Sequence, residues 1–116
     1  MNTLQEVVDH LLEQTPEEML RKVIKENPDA DAFTATHHDG YGTGLRNYLN
    51  LYQEDSADLK QDIWDSLTDK EKNSINNHWR QLAPDEDYTG RNMHADDASS
   101  IIMARVWEAA KEKYSG

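Results

Sequence analysis

Over residues 102–114, Ile102, Met103, Val106, Trp107, Ala110 and Tyr114 recur three and four residues apart. Side chains at that spacing share one face of an α-helix, so this stretch predicts a helix with one apolar stripe. The same period returns along the chain. Leu4, Val7, Val8, Leu11 and Leu12 make one stripe, and Met19, Leu20, Val23 and Ile24 another. Leu45, Tyr48, Leu49 and Tyr52 follow, then Leu59, Ile63 and Leu67, then Ile75, Trp79 and Leu82. No segment alternates apolar and polar residues with the β-branched composition of a strand. The pattern predicts an all-α fold, a compact single domain over residues 1–116 with about five to six helices and no substantial sheet.

Helix boundaries carry their own chemistry. Thr3 with Glu6, and Thr68 with Glu71, have the spacing of a capping box, in which hydroxyl and carboxylate satisfy backbone N–H groups reciprocally. Thr15-Pro16-Glu17-Glu18 reads as a cap followed by proline at the first helical position. Ser56 is a further expected cap, and Asn27-Pro28 and Pro84 are stops. Asp29–Phe33 suits a short helix, residues 34–44 a glycine-rich turn, and Pro84–Asn92 a long loop. Trp64, Trp79 and Trp107 are expected core anchors.

The chain has 23 acidic and 12 basic side chains, a formal net charge of −11, and no cysteine. Such a surface opposes direct nucleic-acid binding, which needs a basic face to displace counterions. Without cysteine there is neither a disulfide framework nor a thiolate metal site. The opening residues carry no basic segment leading into a long apolar run, so no secretory signal is expected. No run of about 18 apolar residues is present, so no membrane span is expected either. The cytoplasm is the expected location.

Two polar clusters exceed what a helical core requires. In the first, His37-His38-Asp39-Gly40-Tyr41-Gly42-Thr43-Gly44-Leu45-Arg46-Asn47, alternate glycines suit close backbone approach or positive φ. A glycine-rich turn entering a helix offers free N–H groups to an anion. Arg46 and Asn47 would then open that helix, with the arginine fork able to grip carboxylate or phosphate. A dipole places positive charge there, so Arg46 would need an anion, supplied by Asp96, Asp97 or a ligand. In the second cluster, His94 to Ser100, Asp96 and Asp97 suit the head of the last helix as well as a site. The candidate binding residues are therefore His38, Gly40, Gly42, Arg46, Asn47, His94, Asp96 and Asp97.

The run H-x-G-x-G-x-x-[IL]-R-N, with a later H-P-D-D-x-S motif followed by paired isoleucines and an aromatic, resembles a family of small bacterial domains of unknown function. The chain carries His38, Gly40, Gly42, Leu45, Arg46 and Asn47 of the first motif. Of the second it carries His94, Asp96, Asp97, Ser99, Ile101, Ile102 and Trp107. It departs at Asp39, where an aromatic is common, and at Ala95, where proline is usual. The resemblance implies that the two clusters form one unit, and it implies no activity.

Neither a phosphate-binding loop nor a nucleophile elbow is present. Ser99 and Thr43 read as helix-end hydroxyls, so no catalytic residue is assigned and an enzyme is the weaker reading. His37, His38, Asp39, His94, Asp96 and Asp97 lack a one-helix ligand pair, so no metal or cofactor is expected. The leading expectation is a small acidic protein-binding module of inhibitor, immunity or regulatory type, bacterial or phage in character, whose protein partner could be basic. The alternative is a small-ligand or phosphate-binding domain built on the two clusters.

Overall fold

The computed structural model describes residues 2–82 and 90–114. Among them the backbone forms seven α-helices: α1 (Leu4–Gln14), α2 (Glu17–Glu26), α3 (Ala30–His37), α4 (Tyr41–Tyr48), α5 (Ala57–Asp65), α6 (Asp69–Leu82) and α7 (Ala95–Tyr114). Short 3-10 turns lie at Glu54–Ser56 and Gly90–Asn92, and no strand occurs among the described residues. The all-α class holds, but the helices outnumber the five to six expected. The surplus arises over residues 30–48. Asp29 caps α3 by accepting from the Ala32 N–H at 2.8 Å, and the helix runs beyond Phe33 to His37. The expected glycine turn is largely helix, because α4 begins at Tyr41 and contains Gly42 and Gly44. A helical glycine costs about 0.5–1 kcal/mol relative to alanine. Burial of Leu45 against the core offsets that cost.

One expected capping box forms in full and the other in half, since at α1 the Glu6 carboxylate accepts from the Thr3 hydroxyl at 3.1 Å rather than from its N–H. The Glu6 N–H donates to Thr3 Oγ1 at 3.1 Å. At α6 the exchange is reciprocal: the Thr68 N–H donates to Glu71 Oε1 at 3.0 Å and the Glu71 N–H to Thr68 Oγ1 at 3.1 Å. Two expected caps do something else. The Thr15 hydroxyl donates backwards to the Leu11 carbonyl at 2.6 Å, closing α1, and α2 starts without a side-chain cap. The Ser56 hydroxyl likewise donates back, to the Gln53 carbonyl at 2.8 Å. A hydroxyl can satisfy the carbonyl behind it as readily as the N–H ahead, and spacing alone does not choose.

The core gathers on α7. Its buried residues, Ala95, Ala98, Ser99, Ile102, Met103, Val106, Trp107 and Ala110, keep the three–four spacing along the helix. α1, α2, α3 and α4 all pack on it, and the small side chains of Ala98 and Ser99 let neighbours come close. Val7, Leu11, Phe33, Leu45, Leu51 and Ile63 complete one hydrophobic cluster. α6 is different: none of its residues is buried, and Leu82 is 65% exposed, although Ile75–Trp79–Leu82 reads as a core stripe. Of the three tryptophans only Trp107 is buried, while Trp64 and Trp79 lie at the boundary. The expected loop from Pro84 falls outside the described residues as far as residue 89. Its end, Gly90–Asn92, packs on α5. There a Cβ on Gly90 would come within 2.8 Å of Trp64 Cβ. No helix among the described residues is long and apolar enough to cross a membrane.

Candidate functional site: the Arg46 brace and the Trp79 clasp

Arg46 is 5% exposed, a costly place for a cation unless its donors are met. Four of its five N–H donors are met among the described residues. Nε donates to Tyr52 Oη at 3.0 Å, and Nη1 donates to Ser99 Oγ at 3.0 Å. Nη2 donates to Thr43 Oγ1 at 2.8 Å and to the His38 carbonyl at 3.3 Å. Ser99 spends its own hydrogen on the Asp96 carbonyl, so its hydroxyl oxygen is oriented to accept. The counter-charge is Asp96, whose Oδ1 lies 3.4 Å from Nε and whose side chain stays 58% exposed.

Arg46 lies in the last turn of α4, not the first as expected from the glycines. A cation there faces the negative end of the helix dipole and is stabilised by it. The turn after α4 completes the seat. Asn50 adopts φ 55°, the Asn50 N–H donates to the Asn47 carbonyl at 3.3 Å, and the Leu51 N–H donates to the Arg46 carbonyl at 2.9 Å. This is a Schellman closure with asparagine in the left-handed position and buried Leu51 behind it. It reverses the chain so that the Tyr52 hydroxyl returns to Arg46.

Gly42 belongs to the same seat: a Cβ there would lie 3.1 Å from Arg46 Nη1 and 3.4 Å from Met103 Sδ. Its absence of side chain makes room for the guanidinium. Gly40 and Gly44 would meet nothing within 4 Å, and no glycine among the described residues has positive φ. The expected glycine nest for an anion is thus replaced by a helix with one tight position.

His94, Asp96 and Asp97 do not converge. Consecutive helical residues diverge by about 100°, and Asp96 and Asp97 take different partners accordingly. Asp97 Oδ2 accepts from Trp79 Nε1 at 2.5 Å. The His94 ring stacks on Trp79 with centroids 3.5 Å apart and planes 5° from parallel. This clasp ties α6 to the head of α7. His38 joins the Arg46 seat through its carbonyl alone, and Asn47 contributes its carbonyl to the turn while its side chain is exposed. Among the described residues no three His, Asp or Glu side chains gather as metal ligands.

Tyr52, Thr43 and Trp79 complete these arrangements, and none carries a motif that marks it as a site residue. Ser99 and Trp79 are legible only as a helix-end hydroxyl and an apolar stripe member. The chain matches no family model, no curated protein and no solved structure.

Proposed function

We propose that this chain is a small acidic protein-binding module that works by occupying a basic partner. The observation that carries this reading is where the charge excess lies. Residues 1–20 and 29–59 contain eleven acidic residues and a single Lys or Arg, Arg46. That arginine is buried in its seat. The rest of the chain is nearly balanced, with twelve acids and eleven bases. An excess concentrated on some elements steers a basic partner towards them, which raises association rate and orients the encounter. A uniformly solvated acidic surface would not need such segregation.

The phosphate or small-ligand alternative is weakened by the same arginine. Its N–H groups already bind Tyr52, Ser99, Thr43 and the His38 carbonyl. A phosphate would have to displace protein acceptors from a buried group.

The test uses the full chain immobilised as bait against its native lysate. The expected captured protein is rich in Lys and Arg and elutes as salt rises. The combined variant Glu6→Gln, Asp9→Asn, Glu13→Gln, Asp39→Asn should retain far less of it. Screening acts over about 10 Å at 0.1 M salt, so elution indifferent to salt, or a captured protein without basic excess, overturns the reading.

A further inference from the structure

Between α1 and α4 lies an open groove of about 430 Å³, lined by His10, Leu11, Gln14, Tyr41, Gly44 and Leu45, with Tyr48 at its mouth. Leu11 and Leu45 form its base and belong to the core. Tyr48 is 59% exposed, and its hydroxyl lies 3.0 Å from His10 Nε2 with the two rings stacked, so the pair bridges the walls. Gly44 leaves the α4 wall bare, since a Cβ there would meet no protein atom.

The groove's surroundings are acidic. Glu6 and Glu13 stand four residues before and three after His10, neighbours of it on the surface of α1. Asp39 is exposed two residues before Tyr41. None of Glu6, Asp9, Glu13 or Asp39 has a Lys or Arg partner among the described residues, whereas Glu17 and Asp58 pair with Arg21 and Arg91. The groove itself is lined by no carboxylate; an apolar slot with such carboxylates on the neighbouring helix surface selects a complementary object, an apolar anchor side chain flanked by cations. A second copy of this chain is disfavoured, because each chain carries a formal net charge of −11.

We infer that this groove receives an aromatic or aliphatic anchor from a Lys- or Arg-rich segment of the partner protein. The inference rests on the acidic-module reading and adds the place and chemistry of docking to it. Tyr48 and His10 flank the anchor, and Glu6, Glu13 and Asp39 meet the cations beside it. The bare wall at Gly44 sets the slot's width.

The probe is a synthetic Lys-rich amphipathic peptide with one tryptophan on its apolar face. Two control peptides replace Trp with Ala, or each Lys with Gln. Titration into the isotope-labelled chain should shift the amides of Leu11, Gly44, Leu45 and Tyr48. The Trp→Ala peptide should bind about tenfold more weakly, equivalent to roughly 1.4 kcal/mol. The variant Gly44→Leu should fill the slot and weaken the parent peptide by a similar factor. Its melting temperature should not fall, which separates a blocked groove from a damaged fold.

Equal binding of parent and Trp→Ala peptides, with Gly44→Leu inert and salt dependence kept, overturns the groove and leaves the acidic-module reading standing. Tighter or equal binding of the Lys→Gln peptide overturns both. Absence of binding at millimolar peptide overturns the groove. Self-association of the chain that Gly44→Leu abolishes overturns it too, in favour of a second copy.

Discussion

α6 and α7 carry comparable apolar spacing, yet the molecule treats them oppositely. α7 buries eight residues and has α1, α2, α3, α4 and α5 against it, whereas α6 buries none. What holds α6 is a set of local and polar contacts. The Thr68–Glu71 box starts it, Glu71 Oε2 lies 3.5 Å from Arg105 Nη2, and the Trp79 clasp grips the head of α7. Ile75 packs at the edge of the core and is only partly buried. A periodic stripe states which side chains can face a core. Whether the core extends to them depends on how many other elements compete for the same surface.

The strongest test of that contrast is to damage α7. Trp107 is 7% exposed, and truncating a buried tryptophan to alanine costs about 3–5 kcal/mol. Trp107→Ala should lower the melting temperature by well over ten degrees and unfold a large fraction of the molecules. Its indole N–H is buried without a partner among the described residues, so Trp107→Phe should cost much less than Trp107→Ala. A near-native melting curve for Trp107→Ala would mean that α7 is not the organising helix.

Second in size is the brace that fixes α4 to α7. Arg46→Ala leaves Ser99, Thr43 and the His38 carbonyl without their donor and exposes a cavity, so a loss of about 3–5 kcal/mol is expected. Arg46→Met, which keeps the volume and removes the charge, should lose less. Gly42→Ala should also destabilise, because its methyl would press on Nη1 at 3.1 Å. Chemical denaturation of the three variants checks the order. An Arg46→Ala protein as stable as the parent would show that the guanidinium carries no structural load.

Much of this was legible in advance, and the reasons for the rest are physical. The α7 stripe, the Thr68–Glu71 box and the Thr3 cap could be read because they depend on local spacing. The pairing of Arg46 with Asp96 could also be anticipated, although from a wrong premise. Three glycines before Arg46 suggest a helix start there, whereas tertiary burial carries α4 through two of them. Asn50 in the left-handed position, which reverses the chain and delivers Tyr52, has no strong signature when glycine is absent. The Trp79–His94 stack joins residues from two helices, and no pattern within either helix announces it.

For α6 the effects should be smaller and local. Trp79→Ala removes the stack on His94 and the donor to Asp97. Aromatic pairs contribute about 0.5–1.5 kcal/mol beyond area burial. The expected outcome is faster amide hydrogen exchange along α6, with α7 amides changed little and the global transition shifted by a few degrees. If α7 loosened equally, α6 would belong to the same cooperative unit and the contrast would fail.

The smallest effect concerns the start of α6. The Thr68 N–H holds the Glu71 carboxyl below its ordinary value of 4.5; partial burial opposes it, and the Thr68 hydroxyl and Arg105 add smaller lowering effects. A carboxylate whose folded value is depressed contributes stability that is fully present above its unfolded value and is lost as pH falls through the folded one. The contribution is therefore complete at neutral pH and disappears in acid. Glu71 is 39% exposed, so solvent screening limits it to a few tenths of a kcal/mol. Glu71→Gln keeps an acceptor for the Thr68 N–H and drops the charge. At neutral pH it should be less stable than the parent by that small amount, and the gap should close as pH falls and Glu71 becomes protonated. Comparing the pair cancels the other carboxylates, which titrate in both proteins. A gap that keeps its size as the pH is lowered through the acid range would place the effect in amide geometry rather than charge, and α6 would then start on hydrogen bonds alone.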